Sequence, residues 1–262
     1  MKKVLVTGAG GFVGLHLVKA LKASGHNVLP LDIQGGDCLA IDITRPLESL
    51  APLDIVIHLA AMANPRDCEA HPSDAFSVNV NGTHQVLKMA VAAGAKKVVF
   101  ASTAHVYGIS PKYLPTNEHH PLSLQSDYTT TKILGEQLCQ LYYENHGLSY
   151  IALRLFNVYG PGQSAGYFVP DMVARAKQGE INLKGGNTTK DFVYVDDVVE
   201  AFIQAMHSPF VGPINVGMGI ERELSDVARN IAHTLGAKCQ SEPSEGATRM
   251  AADRRKASEV LD

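Results

Sequence analysis

The sequence predicts an α/β fold, a doubly wound parallel sheet with a small, reduced C-terminal lobe. Three observations carry that expectation. Short β-branched apolar runs recur along the chain, amphipathic helical runs separate them, and a glycine-rich turn joins the first run to the first helix. Alternating strands and helices need crossover connections, which set parallel strands side by side and cover both faces of the sheet with helices.

The first run is Val4-Leu5-Val6, suited to a buried strand. Thr7-Gly8-Ala9-Gly10-Gly11-Phe12-Val13-Gly14 follows, and then Val13, Leu17, Val18 and Leu21 share one helical face up to Ser24-Gly25. Glycines let the backbone turn tightly beside a pyrophosphate, and a helix N-terminus offers it free N–H groups. The next run, Val28 to Ile33, carries Asp32, which can accept hydrogen bonds from an adenosine ribose and repels a 2′-phosphate. A dinucleotide is therefore expected, NAD ahead of NADP. Asp54 to Leu59 reads as a strand, about Ser73 to Ala93 as a helix stopped by Gly94, and Lys97 to Phe100 as another strand. Asp127 is the expected N-cap of a helix ended by His146-Gly147, and Tyr150 to Leu153 resumes the sheet. Helical patterns return at about Phe168–Gln178, Val195–His207 and Leu224–Leu235.

Chemistry concentrates in Tyr128-Thr129-Thr130-Thr131-Lys132. Residues i and i+4 share a helix face, so phenol and ammonium can work on one substrate atom. A free tyrosine has a pKa of about 10, and a nearby cation favours its phenolate, which makes it a candidate general base. Taken alone the spacing also fits a packed ring beside a solvated amine. Ser102-Thr103 leaves one strand with hydroxyls, and Arg154-Leu155-Phe156-Asn157 leaves another with an amide before Gly160-Pro161-Gly162.

Composition narrows the classes. The 262 residues carry a net charge of −3 and an apolar fraction of 45%, which describes an ordinary core former without a basic field for nucleic acid. Met1-Lys2-Lys3 leads into only three apolar residues, so neither a signal peptide nor a membrane span is expected. Cys38, Cys68, Cys139 and Cys239 are scattered and read as free thiols of a cytoplasmic protein, and no metal site is expected.

In register, these motifs resemble the extended short-chain dehydrogenases/reductases of the nucleotide-sugar epimerase/dehydratase type. The matching elements are the T-G-x-x-G-x-x-G turn, Asp32, Asp42-Ile43, His58-Leu59-Ala60-Ala61, Asn79-Val80-Asn81-Gly82-Thr83, Ser102-Thr103, Tyr128 with Lys132, Arg154 to Asn157, and Asp191 to Asp197. The resemblance implies a Rossmann fold and NAD. It implies that Gly8, Gly11, Phe12 and Val13 line the pyrophosphate, that Asp32 holds the adenosine ribose, and that Asp42 and Ile43 border the adenine. Leu59, Ala60, Ala61, Asn79 and Phe156 would lie along the cofactor. Lys132 would bind the nicotinamide ribose and lower the pKa of Tyr128, while Thr103 hydrogen-bonds the reacting hydroxyl. Asn157 and Lys190 would face the substrate's nucleotide diphosphate, and a homodimer through two long helices is implied.

Residues 1–160 are expected to form the Rossmann domain, completed by about 191–216, with 161–190 and 217–262 as the substrate lobe. Dehydratases of the resembled family carry an acidic pair just after the Ser/Thr. Here Ala104 and His105 stand there, which disfavours elimination of water. Lys190 replaces a frequent Arg and lacks its bidentate fork. The leading expectation is NAD-dependent epimerisation of a nucleotide sugar at C4 through a 4-keto intermediate. A net NAD(P)-dependent reductase or dehydrogenase shares the same residues, and a non-catalytic dinucleotide-binding protein is the reading from another class.

Overall fold

The computed structural model describes residues 1–47, 50 and 52–261. Its first half follows the expected alternation: β1 (Lys3–Thr7), α1 (Phe12–Ala23), β2 (Asn27–Asp32), the two-residue β3 (Leu39–Ala40) and β4 (Ile55–His58). A short α2 (Pro65–Ala70) starts at Asn64, whose side chain accepts from the Arg66 N–H, with proline at the first helical position. The helix expected from about Ser73 to Ala93 is three segments, α3 (Pro72–Phe76), a π-helical stretch (Ser77–Gly82) and α4 (Thr83–Ala92). β5 (Lys97–Thr103) runs into a single 3₁₀ turn (Ala104–Tyr107), and α5 (Asp127–His146) precedes β6 (Ser149–Leu155) and β7 (Asn157–Tyr159). The N-cap of α5 is Ser126, whose hydroxyl accepts from the Thr129 N–H, so Asp127 occupies the first turn rather than the cap. Gly147 ends this helix in the left-handed region, at φ 68°.

The remaining elements are α6 (Phe168–Lys177), β8 (Glu180–Lys184), β9 (Thr189–Tyr194), α7 (Val195–His207), β10 (Gly212–Val216), β11 (Glu221–Glu223), α8 (Leu224–Leu235), β12 (Lys238–Glu242) and α9 (Arg255–Leu261). Seven strands form one parallel sheet in the order β10-β6-β5-β4-β1-β2-β3. This is the Rossmann arrangement. Leu17, Leu21, Phe202 and Met206 of α1 and α7 bury one face, and Val86, Leu87, Cys139 and Tyr142 of α4 and α5 bury the other. Strand order reverses beside β1, where Thr7 stands opposite His58, and ligands of such sheets bind outside the strands' carboxyl ends at that reversal.

A separate cluster of Met172, Ala176, Ile181, Leu183, Ala228 and Ala232 joins α6, α8, β8 and β12 into the small lobe. Two parts of the expected division sit differently. Residues 191–194 pair with β7 and β11 in a three-stranded sheet, so only α7 and β10 complete the main one. Helix α9 leaves the lobe and packs on α7 and β10, with Leu261 buried in the main core. Alternation identifies a strand or a helix, but not the layer against which it packs.

Candidate active site

A cavity of about 800 Å³ opens along the carboxyl ends of β1, β2, β4, β5 and β6. At one end the glycine turn forms its floor. Gly8 has φ +69°, and a Cβ there would lie 2.6 Å from the Ala60 nitrogen, so backbone meets backbone. A Cβ on Gly14 would lie 2.2 Å from the Gly8 oxygen. No side chain caps the start of α1, so its first N–H groups are available to an anion. Asp32, at the end of β2, accepts from Gly10 N–H at 3.0 Å and Gln34 N–H at 3.2 Å, which fixes its carboxylate on the wall. Asp42 and Ile43 border the same end, and Thr44 donates both its N–H and its hydroxyl to Asp42. These hydrogen bonds hold the Asp42 carboxyl below its ordinary pKa.

Gly8, Gly11, Phe12, Val13, Asp32, Asp42, Ile43, Leu59, Ala60, Ala61 and Phe156 all reach the cavity wall. Asn79 does not. It is buried behind the wall, where its amide accepts from Met62 N–H at 2.8 Å and donates to Met62 O and to Thr131 Oγ1. Thr131 in turn donates to Tyr128 O at 2.8 Å. Asn79 therefore joins the Met62 loop to the helical turn that carries Tyr128, and it contributes position rather than a surface.

At the other end Thr103, His105, Tyr128 and Asn157 converge. Thr103 terminates β5 and accepts from His105 N–H at 3.2 Å, leaving its proton for the Tyr128 oxygen. Burial is the largest influence on Tyr128 and pushes its pKa above that of an ordinary tyrosine, while the Thr103 hydrogen bond works in the opposite direction. The expected effect of Lys132 on this phenol is not part of the arrangement. Its ammonium donates to Ala101 O at 2.9 Å and stands 5.1 Å from the Phe100 ring, and burial brings its own pKa down to about 8. Spacing along a helix puts two residues on one face, but a four-carbon stem can still aim its charge at the strand end. Burial, with the Lys190 charge, lowers the His105 pKa to about 4 and keeps its imidazole neutral near pH 7.

Several wall residues carried no signal in the sequence: Met62, Asn64, Gln163 and Tyr167 come from loops whose course only the fold determines. Lys190 and Lys132 lie outside the wall, although Phe192, two residues along β9 from Lys190, lines it. Among the described residues no helix is long and apolar enough to cross a membrane.

A glycine floor, an acidic residue at the second strand and a Thr–Tyr pair at the opposite end define a dinucleotide-dependent enzyme that acts on an alcohol or its ketone. The chain belongs to the NAD dependent epimerase/dehydratase family, whose model matches residues 4–217. It is 33% identical to a putative UDP-glucose 4-epimerase of Methanocaldococcus jannaschii, over 93% of this chain and 87% of the relative. It is 30% identical to UDP-glucuronic acid decarboxylase 1 of Xenopus tropicalis, over 99% of this chain and 68% of that protein. Among solved structures, it is similar to the Thermus thermophilus UDP-glucose 4-epimerase in complex with NAD, with a TM-score of 0.88 and 28% identity over 98% of this chain and 92% of the other. The cofactor is NAD, and the crowded glycine floor and the Asp32 carboxylate fit it. The family is one of enzymes with epimerase, decarboxylase and dehydratase members.

Proposed function

We propose that this chain is an NAD-dependent nucleotide-sugar 4-epimerase. The observation that carries the reading is the pairing of Thr103 with Tyr128 on the cavity wall, with buried Ala104 and neutral His105 following Thr103 where an eliminating enzyme needs a carboxylate. Tyr128 takes the proton of the C4 hydroxyl, and Thr103 fixes that oxygen beside the phenol. A bound NAD would supply the hydride acceptor at C4 and the hydride donor to the other face of the 4-keto sugar. The chain orients the two partners and excludes water.

In this reading Gly8, Gly11, Phe12 and Val13 hold the pyrophosphate, Asp32 the adenosine ribose, and Asp42 and Ile43 the adenine. Leu59, Ala60, Ala61 and Phe156 flank the cofactor, and Lys132 serves its ribose. Asn157 and Lys190 face the substrate's nucleotide diphosphate, Lys190 as a point charge. Four free cysteines support a reducing, cytoplasmic setting. The exposed Leu134, Leu141 and Tyr143 on α5 support a homodimer, which light scattering on the purified protein tests. The reaction itself is tested by incubating the NAD-loaded protein with UDP-glucose and resolving the epimer. Accumulation of NADH in step with substrate loss, without epimer, would overturn the proposal in favour of a net dehydrogenase.

A further inference from the structure

Helix α1 follows β1 and α2 follows β4, and these two paired strands frame the crevice where the strand order reverses. Residues 160–167, which join β7 to α6, touch both sides of it. On the α1 side, the Pro161 carbonyl oxygen lies 2.9 Å from His16 Nε2. On the α2 side, Gly166 lies against Asn64, where an added Cβ would stand 3.9 Å from the amide nitrogen. Between these two points Gln163 and Ser164 line the cavity. The segment therefore spans the crevice instead of following one wall.

Little inside the segment holds it there. Gln163 N–H reaches Gly160 O at 3.3 Å, and the Gln163 side-chain amide donates to Val158 O at 2.9 Å. The amide oxygen of the same residue is buried without a partner among the described residues, a cost that this arrangement has to carry. Gly162 and Gly166 take φ +86° and +91°, and a Cβ on Gly162 would meet nothing within 4 Å. A left-handed glycine in open space leaves the chain free to turn about it. The segment is held by its ends. Gly160 packs so closely on Val195 that a Cβ would lie 2.5 Å from Cγ1, and Gly166 N–H donates to Asp171 Oδ1 of α6 at 2.8 Å.

His16 adds the fastening to the cofactor side. It lies one turn beyond Phe12, a wall residue whose ring meets the imidazole edge-on at 5.8 Å. A carbonyl oxygen only accepts, so the Pro161 contact places a ring proton on Nε2. Nδ1 lies 3.6 Å from Asp196 Oδ1, but that carboxylate is 70% exposed and the pair contributes little. The hydrogen bond to Pro161 is what joins the glycine-turn helix to the segment. We infer that His16 is a positioning residue: by holding Pro161 it fastens residues 160–167 over the crevice and keeps the cofactor and the keto sugar in place between the two hydride transfers. The inference rests on the 4-epimerase reading, in which the hydride that leaves C4 must return to the same sugar.

Cofactor exchange tests this without requiring turnover. Protein loaded with radiolabelled NAD is chased with excess unlabelled NAD, and the label retained is followed for wild type, His16→Ala and His16→Gln. The alanine variant should lose label about tenfold faster, the factor expected from one hydrogen bond. Glutamine carries an amide N–H near the position of Nε2 and should return the rate to within about threefold of wild type. Neither the number of NAD sites nor the association rate should fall in either variant. Equal release from all three proteins would overturn the inference. So would equally fast release from the alanine and glutamine variants, since the hydrogen bond would then not be the fastening. A fall in NAD sites or association rate in both variants would also overturn it, because it would show a disturbed α1 and not a loosened segment. Epimer formation from UDP-glucose by the wild-type protein reads the epimerase proposal separately. Slow, His16-dependent release without epimer sinks that proposal alone, and epimer formation with release indifferent to His16 sinks only this inference.

Discussion

Thr7 Oγ1 and His58 Nδ1 lie 2.7 Å apart across the two strands that flank the sheet's switch point. The other ring nitrogen of His58 lies 2.9 Å from Thr83 Oγ1, which gives its own proton to Asn79 O at 2.6 Å. Thr83 can therefore only accept from His58, so Nε2 carries the ring proton and Nδ1 accepts from Thr7. Thr7 also receives the Ala60 N–H at 3.3 Å. One neutral imidazole thus ties the cofactor wall to the helix behind it.

Replacing His58 by Phe should cost about 2–4 kcal/mol, because two buried hydroxyls lose a partner. It should also reduce the NAD retained on purification, with His58→Gln recovering part of both. Burial, then the Lys132 charge, pushes the His58 pKa down to about 3. Between pH 3 and 6.5 the unfolded chain holds the extra proton, so this stability is complete above 6.5 and is lost as pH falls toward 3. Urea titrations of wild type and variant across that window measure the difference. A variant as stable as wild type with a full complement of NAD would show that the ring is only filler.

Tyr128→Phe is expected to lower kcat about 10²- to 10⁴-fold while leaving NAD binding intact. Because burial raises the phenol's pKa, turnover should climb with pH from neutral into the alkaline range. Thr103→Ala removes the hydrogen bond that favours the phenolate and should move that limb to higher pH. A pH–rate profile with an unmoved limb would separate Thr103 from the ionisation of Tyr128.

For Lys132 the expected effect is on stability. Its folded pKa of about 8 lies below the ordinary 10.5, so the unfolded chain binds more protons between those values and stability rises with pH across them. The full swing is on the order of 3 kcal/mol. Lys132→Met should be free of this rise, and paired denaturation curves at pH 7.5 and 10 provide the comparison.

Asp32→Gly should shift the ratio of NADP to NAD affinity by about tenfold or more toward NADP, since about 1.4 kcal/mol of repulsion suffices for that factor. Fluorescence titration with both dinucleotides checks it. An unchanged ratio would place the adenosine ribose away from this carboxylate.

The Arg154–Glu136 ion pair is buried at 4% and 6% side-chain exposure and is bidentate, at 3.0 and 2.7 Å. Arg154→Met alone should cost about 3–5 kcal/mol by leaving a buried carboxylate without its cation. Adding Glu136→Leu should recover a good part of that loss in chemical denaturation.

Much of this architecture was legible from periodicity and punctuation. Helices α7 and α8 run from Val195 to His207 and from Leu224 to Leu235, as their apolar spacing implies. The glycine turn and Asp32 reached the wall because strand, turn and helix leave them little freedom. What escaped was short, polar or decided by the third dimension. β7 and β11 have three residues each, too few to display alternation, and β12 is mostly polar and exposed. Ser126 and Asp127 are both good caps, and only the helix geometry chooses between them. The direction of the Lys132 ammonium depends on where the Ala101 carbonyl ends up, which no local pattern encodes.

The π-helical stretch from Ser77 to Gly82 holds Asn79. Each residue of an ordinary helix turns about 100° around the axis, so excising one residue from this stretch would tidy its hydrogen bonding and swing Asn79 by roughly that angle away from Met62. The protein accepts a locally poorer helix in exchange for an aim. A more regular helix here would be better formed, yet it would point its amide at nothing.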